Sequence, residues 1–184
     1  MEATRAAATA SGPVGDAGFS PERANIAPRF LDIELTDQDG HRVRLFDDLV
    51  KEQVVVLNFM YVTCSSACPR NTSNLAKVQK LVGGGVRFIS ITLDAERDSP
   101  EVLAEYARAH RAGPGWSFLT GDKRQIEALR KSLGFYDPDP AIDADRTQHA
   151  GIVLYGNERL SRWSHMPALL SPEFMAAAVG RVIR

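Results

Sequence analysis

The two cysteines of this 184-residue chain lie four positions apart, in the segment Cys64-Ser65-Ser66-Ala67-Cys68. Scattered cysteines are usually inert core residues, whereas a close pair in an otherwise cysteine-free chain points to shared chemistry. A disulfide, a redox-active dithiol and a metal site with two thiolate ligands all fit the spacing. Soft thiolates favour Cu(I), zinc and iron–sulfur clusters, and two cysteines are too few for an all-cysteine cluster.

A third ligand from imidazole would make a trigonal site, which is a plausible geometry for copper, whereas a tetrahedral zinc site would want a fourth protein ligand or a water. The chain offers four histidines. His41 falls in a predicted hairpin and His110 in a predicted helix, so we interpret both as bystanders. His165 falls in a predicted loop. His149 ends a long acidic segment immediately before an apolar strand, from where it could reach the cysteine loop. From the residues alone, an ordinary histidine at a strand end stays open as the alternative.

The segments on either side of the cysteines predict an α/β arrangement. The continuous apolar run from Gln53 to Met60 is typical of a strand buried on both faces of a sheet. Pro69 predicts the first turn of a helix directly after Cys68. Because the N–H groups at a helix start stabilise a thiolate, we expect lowered pKa values for both cysteines. Sheets of this kind place ligands at the carboxyl ends of their strands, which is where Cys64 falls.

The remaining segments continue the alternation of strands and helices. The predicted features are a hairpin at Asp39-Gly40, strands at 86–93 and 116–119, helices capped by Ser99 and Asp122, a loop over 135–148, a second hairpin turning at Gly156-Asn157 and a last helix from about Pro172. This order predicts an α/β, thioredoxin-like fold with a central mixed sheet flanked by helices and an N-terminal hairpin. Residues 1–26, rich in Ala, Gly, Ser and Pro, predict a disordered tail before a domain at 27–184.

Composition narrows the class of protein and of partner. The chain is 44% hydrophobic and 24% charged, as in ordinary globular proteins, and its formal net charge is −1. The absence of a basic field argues against nucleic acid as the main partner. The sequence shows no apolar run of membrane-spanning length and no secretory signal. We therefore expect either a cytosolic protein or an exported one whose leader is missing from this sequence.

Two groups of aspartates have a weaker claim to function. Asp94 and Asp98 follow a predicted central strand near the cysteines, where they could support the cysteine loop or steer a partner. Asp98 could equally cap the following helix. The 135–148 segment lacks the Asp-x-Asp-x-Asp-Gly pattern and the distal Glu of a calcium loop. We therefore interpret its four aspartates as solvated. They are Asp137, Asp139, Asp143 and Asp145.

Three segments, in order along the chain, resemble the Sco/SenC family of thioredoxin-like copper-binding proteins. They are the Cys-x-x-x-Cys-Pro signature in 55–69, a strand ending in an Asp-Pro-x-x-Asp-Thr-Pro-like motif in 88–100, and a strand preceded by histidine in 148–155. Ala95 and Ser99 depart from the second motif. Ser65-Ser66-Ala67 replaces the acidic spacer that the family often carries between its cysteines. The resemblance extends from about Pro28 to Gly180.

The resemblance implies a site and a function. Matched position by position, Cys64 and Cys68 would be the thiolate ligands and His149 the imidazole ligand of copper, as Cu(I) or Cu(II). The family implies a metallochaperone that delivers copper to a cytochrome c oxidase subunit. It also implies a periplasmic or inner-membrane-associated location, although no signal peptide or anchor is visible in this chain.

Other functions compete with copper delivery. A thiol–disulfide reductase would use Cys64 and Cys68 as a redox-active pair to keep a partner's cysteines reduced, so whether the protein is an enzyme stays open. A peroxiredoxin would need Pro-x-x-x-Thr-x-x-Cys, and the proline is absent. A structural disulfide is a poor explanation because closing so short a loop stabilises little.

Overall fold

The strands and helices follow the predicted order. A computed structural model describes residues 30–64, 68–144 and 151–184. Within them the strands are β1 Glu34–Asp37, β2 Arg42–Arg44, β3 Val54–Met60, β4 Val86–Thr92, β5 Trp116–Thr120, β6 Ile152–Asn157 and β7 Arg162–Pro167. The α-helices are α1 Cys68–Val82, α2 Pro100–Ala109, α3 Lys123–Ser132, α4 Pro140–Asp143 and α5 Pro172–Ile183. A π-helical segment, Leu45–Val50, and a 3-10 turn, Glu158–Leu160, complete them.

All seven of these strands form one mixed sheet, in the order β2-β1-β5-β4-β3-β6-β7. The central strands β3, β4 and β5 run parallel, and β6 pairs antiparallel with β3. The β1–β2 hairpin joins the far edge of the sheet antiparallel to β5. The predicted mixed sheet flanked by helices is therefore confirmed.

Both faces of the sheet are covered, which explains why every residue of β3 except Asn58 is apolar. Asn58 accepts a hydrogen bond from the Ser90 hydroxyl at 2.7 Å. Val56 and Phe88 lie on one face in a cluster with side chains of α1, α2 and α5. Leu57 and Ile89 lie on the other face in a cluster with the π-helical segment and α3. Burying each such side chain stabilises the fold by about 1.5–3 kcal/mol. Alternate residues of one strand thus pack into two different cores. A polar side chain on either face would lower the stability of the fold unless it found a hydrogen-bond partner.

The predicted helix starts and the first hairpin are confirmed. The Ser99 hydroxyl accepts a hydrogen bond from the backbone N–H of Val102 at 3.4 Å, which caps α2. The Asp122 carboxylate accepts from two N–H groups of the first turn of α3, at 2.9 and 3.0 Å. Gly40 has a φ of 83°, the left-handed conformation that the Asp-Gly turn requires. Each of these features depends on residues close in sequence.

The second predicted hairpin is displaced along the chain. Gly156-Asn157 lies inside β6, and the reversal occurs instead at Glu158–Leu160, followed by Ser161 with a φ of 48°. A Cβ on Gly156 would lie 2.3 Å from the carbonyl oxygen of Arg162 on β7. Glycine is therefore needed there for the close approach of two strands, and the interpretation of it as a turn residue is wrong.

The predicted loop over 135–148 contains a helical turn, and its aspartates are not all solvated. Asp139 caps α4 by accepting a hydrogen bond from the N–H of Ala141 at 2.8 Å. The carboxylate of Asp143 is largely buried and binds the guanidinium of Arg130 at 2.8 and 2.9 Å. The interpretation of Asp143 as solvated is therefore wrong, because a buried cation on α3 pairs with it. Asp145 lies outside the described residues.

The predicted N-terminal boundary of the domain and the predicted absence of a membrane span remain to be compared with the structure. The predicted tail at 1–26 lies outside them, and so does the start of the predicted domain at 27. Among the helices of the described segments, none is long and apolar enough to cross a membrane.

Candidate metal centre

The cysteine loop and the acidic turn meet at one edge of the sheet. Because β3 and β4 are parallel, their carboxyl ends lie side by side, with Met60 paired to Thr92. The N–H of Leu93 donates to the carbonyl of Met60 at 2.8 Å and holds the two exits together. The cysteine loop leaves β3 here, and the turn that contains Asp94 and Asp98 leaves β4. The topology therefore brings together two motifs about thirty residues apart in sequence.

Backbone hydrogen bonds fix the two cysteines relative to each other. The N–H of Cys64 donates to the carbonyl of Tyr61 at 3.3 Å, which closes a turn after β3. Cys68 begins α1, and its N–H donates to the Cys64 sulfur at 3.4 Å. Both residues are thiols rather than a disulfide, and they are 4% and 1% exposed. The structure thus places two buried sulfurs next to each other at the start of a helix.

The expectation of a lowered pKa is wrong for Cys68. Burial raises the pKa of its thiol to about 12, and a hydrogen bond with the Cys64 side chain adds to the increase. Hydrogen bonds from the backbone N–H groups of Tyr61 and Cys68 oppose the increase and are too weak to reverse it. The thiol is therefore protonated at neutral pH. It becomes a ligand by exchanging its proton for a metal ion.

A buried tyrosine lies beside the thiols. The Tyr106 hydroxyl on α2 hydrogen-bonds the Thr72 hydroxyl on α1 at 2.9 Å. Burial raises the pKa of Tyr106 to about 12, and the nearby Cys68, Cys64 and Asp98 side chains raise it further when charged. The sequence alone did not connect Tyr106 with the cysteines. Its only signal was a hydroxyl at an otherwise apolar position.

We expect the reduced protein to lose stability as the pH rises from about 9 to about 12. The ordinary pKa values of Cys68 and Tyr106 are 9.0 and 10.0, and both are about 12 in the fold. Between these values the unfolded chain binds fewer protons than the folded one, so the free energy of unfolding falls with pH. Each group contributes a slope of up to about 1.4 kcal/mol per pH unit. Below pH 9 the contribution of both groups is fully present.

Urea unfolding of the reduced protein between pH 7 and pH 11 measures this slope. Tyr106→Phe is expected to make the alkaline slope shallower, whereas Tyr136→Phe, at a side chain 55% exposed, is expected to leave it unchanged. Equal slopes in all three proteins would contradict the burial of the Tyr106 hydroxyl as its cause.

The acidic turn supports the cysteine loop. Asp98 is 1% exposed, and its carboxylate accepts hydrogen bonds from the N–H of Val62, at 3.0 Å, and from the Thr92 hydroxyl. Thr92 in turn accepts from the N–H of Asp94 at 2.9 Å. Since Ser99 caps α2, the interpretation of Asp98 as a helix cap is wrong, and its carboxylate instead bonds the loop that leaves β3.

The predicted imidazole ligand, His149, lies outside the described residues. Two other histidines are engaged elsewhere. The Nδ1 atom of His110 hydrogen-bonds Ser73 at 3.2 Å, and the His110 ring lies 4.3 Å from that of Tyr106. His165 lies in β7 rather than in a loop, and its Nε2–H donates to the carbonyl of Leu133 at 3.0 Å. Both rings hold neighbouring elements together.

A separate group of three candidate ligands lies on the β1–β2 hairpin. Asp37, Asp39 and His41 bring their ligand atoms close together, and no other such group of three occurs in 30–64, 68–144 or 151–184. One Asp37 oxygen already accepts the N–H groups of Asp39 and His41, at 2.9 and 2.8 Å. The cluster is thus explained by the hydrogen bonds of a hairpin turn.

Comparison with known proteins bears on the family. The family model described as SCO1/SenC matches residues 20–184. A SCO1 protein homolog from Bacillus subtilis (strain 168) is 33% identical over 89 residues, which cover 46% of this chain and 45% of that protein. The match thus spans about half of the length of that relative.

Two solved structures bear on the fold. Copper-bound ScoI from Bradyrhizobium japonicum superposes with a TM-score of 0.63 at 25% identity, over 81% of this chain and 96% of that one. BsSco, in which a disulfide switch was identified and which belongs to the Sco family of cytochrome c oxidase assembly proteins, superposes with a TM-score of 0.70 at 21% identity, over 86% and 95%. The predicted thioredoxin-like fold is confirmed. Since the family model covers both cysteines and most of the chain, this chain belongs to the SCO1/SenC family.

Proposed function

We propose that this chain binds copper through Cys64, Cys68 and His149 and delivers it to an acceptor protein during assembly of the copper centre of cytochrome c oxidase. The observation that carries the proposal is the pair of buried, adjacent thiols at the start of α1. Membership of the SCO1/SenC family, and the copper in the related ScoI structure, support it.

The donor set fits a soft ion of low charge. Thiolates favour Cu(I) over hard cations. Both sulfurs belong to a buried, largely apolar cluster that also contains Met60 and Leu75. Burial penalises a thiolate, so the Cys68 thiol keeps its proton until a cation replaces it. Copper loading is therefore expected to release protons, and the affinity is expected to rise with pH.

Three ligands would leave one side of the ion open. An acceptor thiol could enter from that side, so that copper passes through an intermediate shared by the two proteins and is never released to water. A Cys64–Cys68 disulfide would block loading, since neither sulfur would then be a thiolate. The role of His149 rests on the resemblance of residues 148–155 to the family segment.

The proposed partner and location are those that the family implies. We propose a cytochrome c oxidase subunit as the copper acceptor and a periplasmic or inner-membrane-associated site of action. These proposals rest on what the family implies and on the description of BsSco as one of the cytochrome c oxidase assembly proteins.

A second candidate function is reduction of a partner's disulfide by Cys64 and Cys68. The hydrogen bond between the side chains of Cys68 and Cys64 suits a pair that cycles between dithiol and disulfide. The raised pKa of Cys68 argues against that thiol as an attacking nucleophile at neutral pH. We therefore place copper binding first.

A competition titration with Cu(I) tests the proposal. The reduced protein is titrated under anaerobic conditions against a chromophoric chelator, alongside His149→Ala. We expect one tight equivalent in the wild type and a loss of affinity in the variant that exceeds the roughly tenfold typical of a lost supporting partner. His165→Ala is the control, because His165 bonds the carbonyl of Leu133 and is expected to leave the affinity unchanged.

Weak binding by the wild type would overturn copper delivery. Tight binding that is indifferent to His149 would overturn the three-ligand site. In the first case the reduction potential of the Cys64–Cys68 pair becomes the quantity that defines the function, and the reductase takes first place.

A further inference from the structure

The carboxylate of Asp98 is buried without a neutralising cation among the described residues. The side chain is 1% exposed, and no ion pair within those residues includes it. One oxygen, Oδ2, accepts both of its hydrogen bonds, while Oδ1 has no partner within the described segments. The side chain therefore contacts its surroundings through the two hydrogen bonds of Oδ2.

The first of these bonds reaches into the turn that presents Cys64. Its donor is the N–H of Val62, at 3.0 Å. Val62 lies one residue after Tyr61, whose carbonyl accepts the N–H of Cys64. The carboxylate therefore holds the middle of the four-residue turn, and without it the Val62 N–H would lose its acceptor.

The second bond ties the same oxygen to the sheet. Its donor is the hydroxyl of Thr92, the last residue of β4, which also accepts the N–H of Asp94. The side chain of Asp98 thus bridges the exit of β4 and the loop that leaves β3. Asp98 can make this bridge because Ser99, and not Asp98, caps α2.

We propose that Asp98 is a positioning residue that holds the turn over 61–64, so that the Cys64 sulfur stays buried against the N–H of Cys68. It acts as a hydrogen-bond acceptor and does not touch the copper ion. Only the expected change in Cu(I) affinity rests on the proposed function. The burial and the reactivity of the thiols can be measured without metal.

The competing explanation is that the negative charge of Asp98 acts directly on the site. Replacement by asparagine separates the two. The amide oxygen of Asp98→Asn can accept from Val62 and Thr92, whereas the charge is lost. Asp98→Ala removes the acceptor and the charge together. A positioning role predicts that asparagine rescues the site and alanine does not.

Asn157→Ala is a matched control for loss of a buried polar side chain. Asn157 is 6% exposed and donates to the carbonyl of Val182 at 2.9 Å. It pairs with Val54 at the start of β3, the opposite end of the strand from the cysteines. Its replacement reports the effect of a general loss of stability on the thiols.

The experiment measures two quantities on the wild type, Asp98→Ala, Asp98→Asn and Asn157→Ala. The first is the rate at which iodoacetamide modifies the thiols of the folded, metal-free protein at pH 7.5, with the free energy of unfolding measured in parallel. The second is the Cu(I) affinity. We expect Asp98→Ala to accelerate modification at least about tenfold and to weaken Cu(I) by about 10–100-fold. Asp98→Asn and Asn157→Ala are expected to stay within about threefold of the wild type in both.

Three results would overturn the inference. The first is a thiol modification rate in Asp98→Ala equal to that of the wild type, and the second is an Asp98→Asn protein as impaired as Asp98→Ala. The third is an Asn157→Ala protein that matches Asp98→Ala both in its free energy of unfolding and in its accelerated thiol modification. A wild type that fails to bind Cu(I) would overturn the proposed function instead. In that case the modification rates still decide the role of Asp98.

Discussion

Cys68→Ser is expected to abolish tight Cu(I) binding. Cys68 is 1% exposed and its side chain hydrogen-bonds that of Cys64, so it lies in the interior of the proposed site and not at its surface. A hydroxyl is a hard donor that stays protonated in this apolar setting, so the variant offers copper one thiolate fewer. We expect a loss of at least about 1,000-fold in affinity, equivalent to about 4 kcal/mol.

Competition with a chelator under reducing, anaerobic conditions measures this loss, and Cys64→Ser is expected to behave in the same way. Met166→Leu is the control for a soft sulfur in the same core. Met166 is 6% exposed and belongs to the apolar cluster that contains both cysteines. Because it is not a proposed ligand, its replacement is expected to leave the affinity unchanged. A loss as large as that of Cys68→Ser would show that the ligand set is misassigned.

Arg130→Ala is expected to destabilise the fold strongly, although Arg130 lies away from the cysteines. The guanidinium is 3% exposed and donates to both oxygens of Asp143, to Glu127 and to the carbonyl of Phe135. Burial opposes its charge, but the hydrogen bonds with Asp143 and Glu127 outweigh this and raise its pKa above the ordinary value. The side chain thus joins α3 to α4 and to the segment between them.

Removal of this arginine leaves the Asp143 carboxylate, 13% exposed, without its main partner. Breaking a buried ion pair from one side typically costs about 3–5 kcal/mol. Urea unfolding at pH 7 measures the cost. Arg124→Ala, at an exposed position of the same helix, is expected to change the free energy of unfolding by no more than about 0.5 kcal/mol. Equal effects of the two substitutions would contradict the buried network as the source of stability.

Local features of the fold were predictable because their causes are local. Ser99 and Asp122 bond N–H groups two or three residues away, and Gly40 supplies a left-handed turn within a hairpin. The apolar run of β3 predicted burial on both faces, and the structure has clusters on both. The spacing of Cys64 and Cys68, with the motifs around them, was enough to indicate the SCO1/SenC family.

Features that depend on contacts distant in sequence were not predictable in this way. The sequence predicts a turn at Gly156, but glycine is needed there because a Cβ would clash with the neighbouring strand β7. Asp143 reads as solvated until Arg130 of α3 is placed against it. In both cases the deciding atom belongs to another element, and no pattern in the nearby sequence identifies it.

The same division applies to the site. The sequence by itself identified Cys64 and Cys68 as the candidate sulfur ligands, because residue type and spacing set which metals a pair of thiolates prefers. Only the tertiary structure decided the protonation of Cys68, since burial outweighs the helix N-terminus in raising its pKa. It also decided that Asp98 holds the Cys64 turn, because the parallel pairing of β3 and β4 brings a carboxylate to the N–H of Val62 across 36 residues of chain.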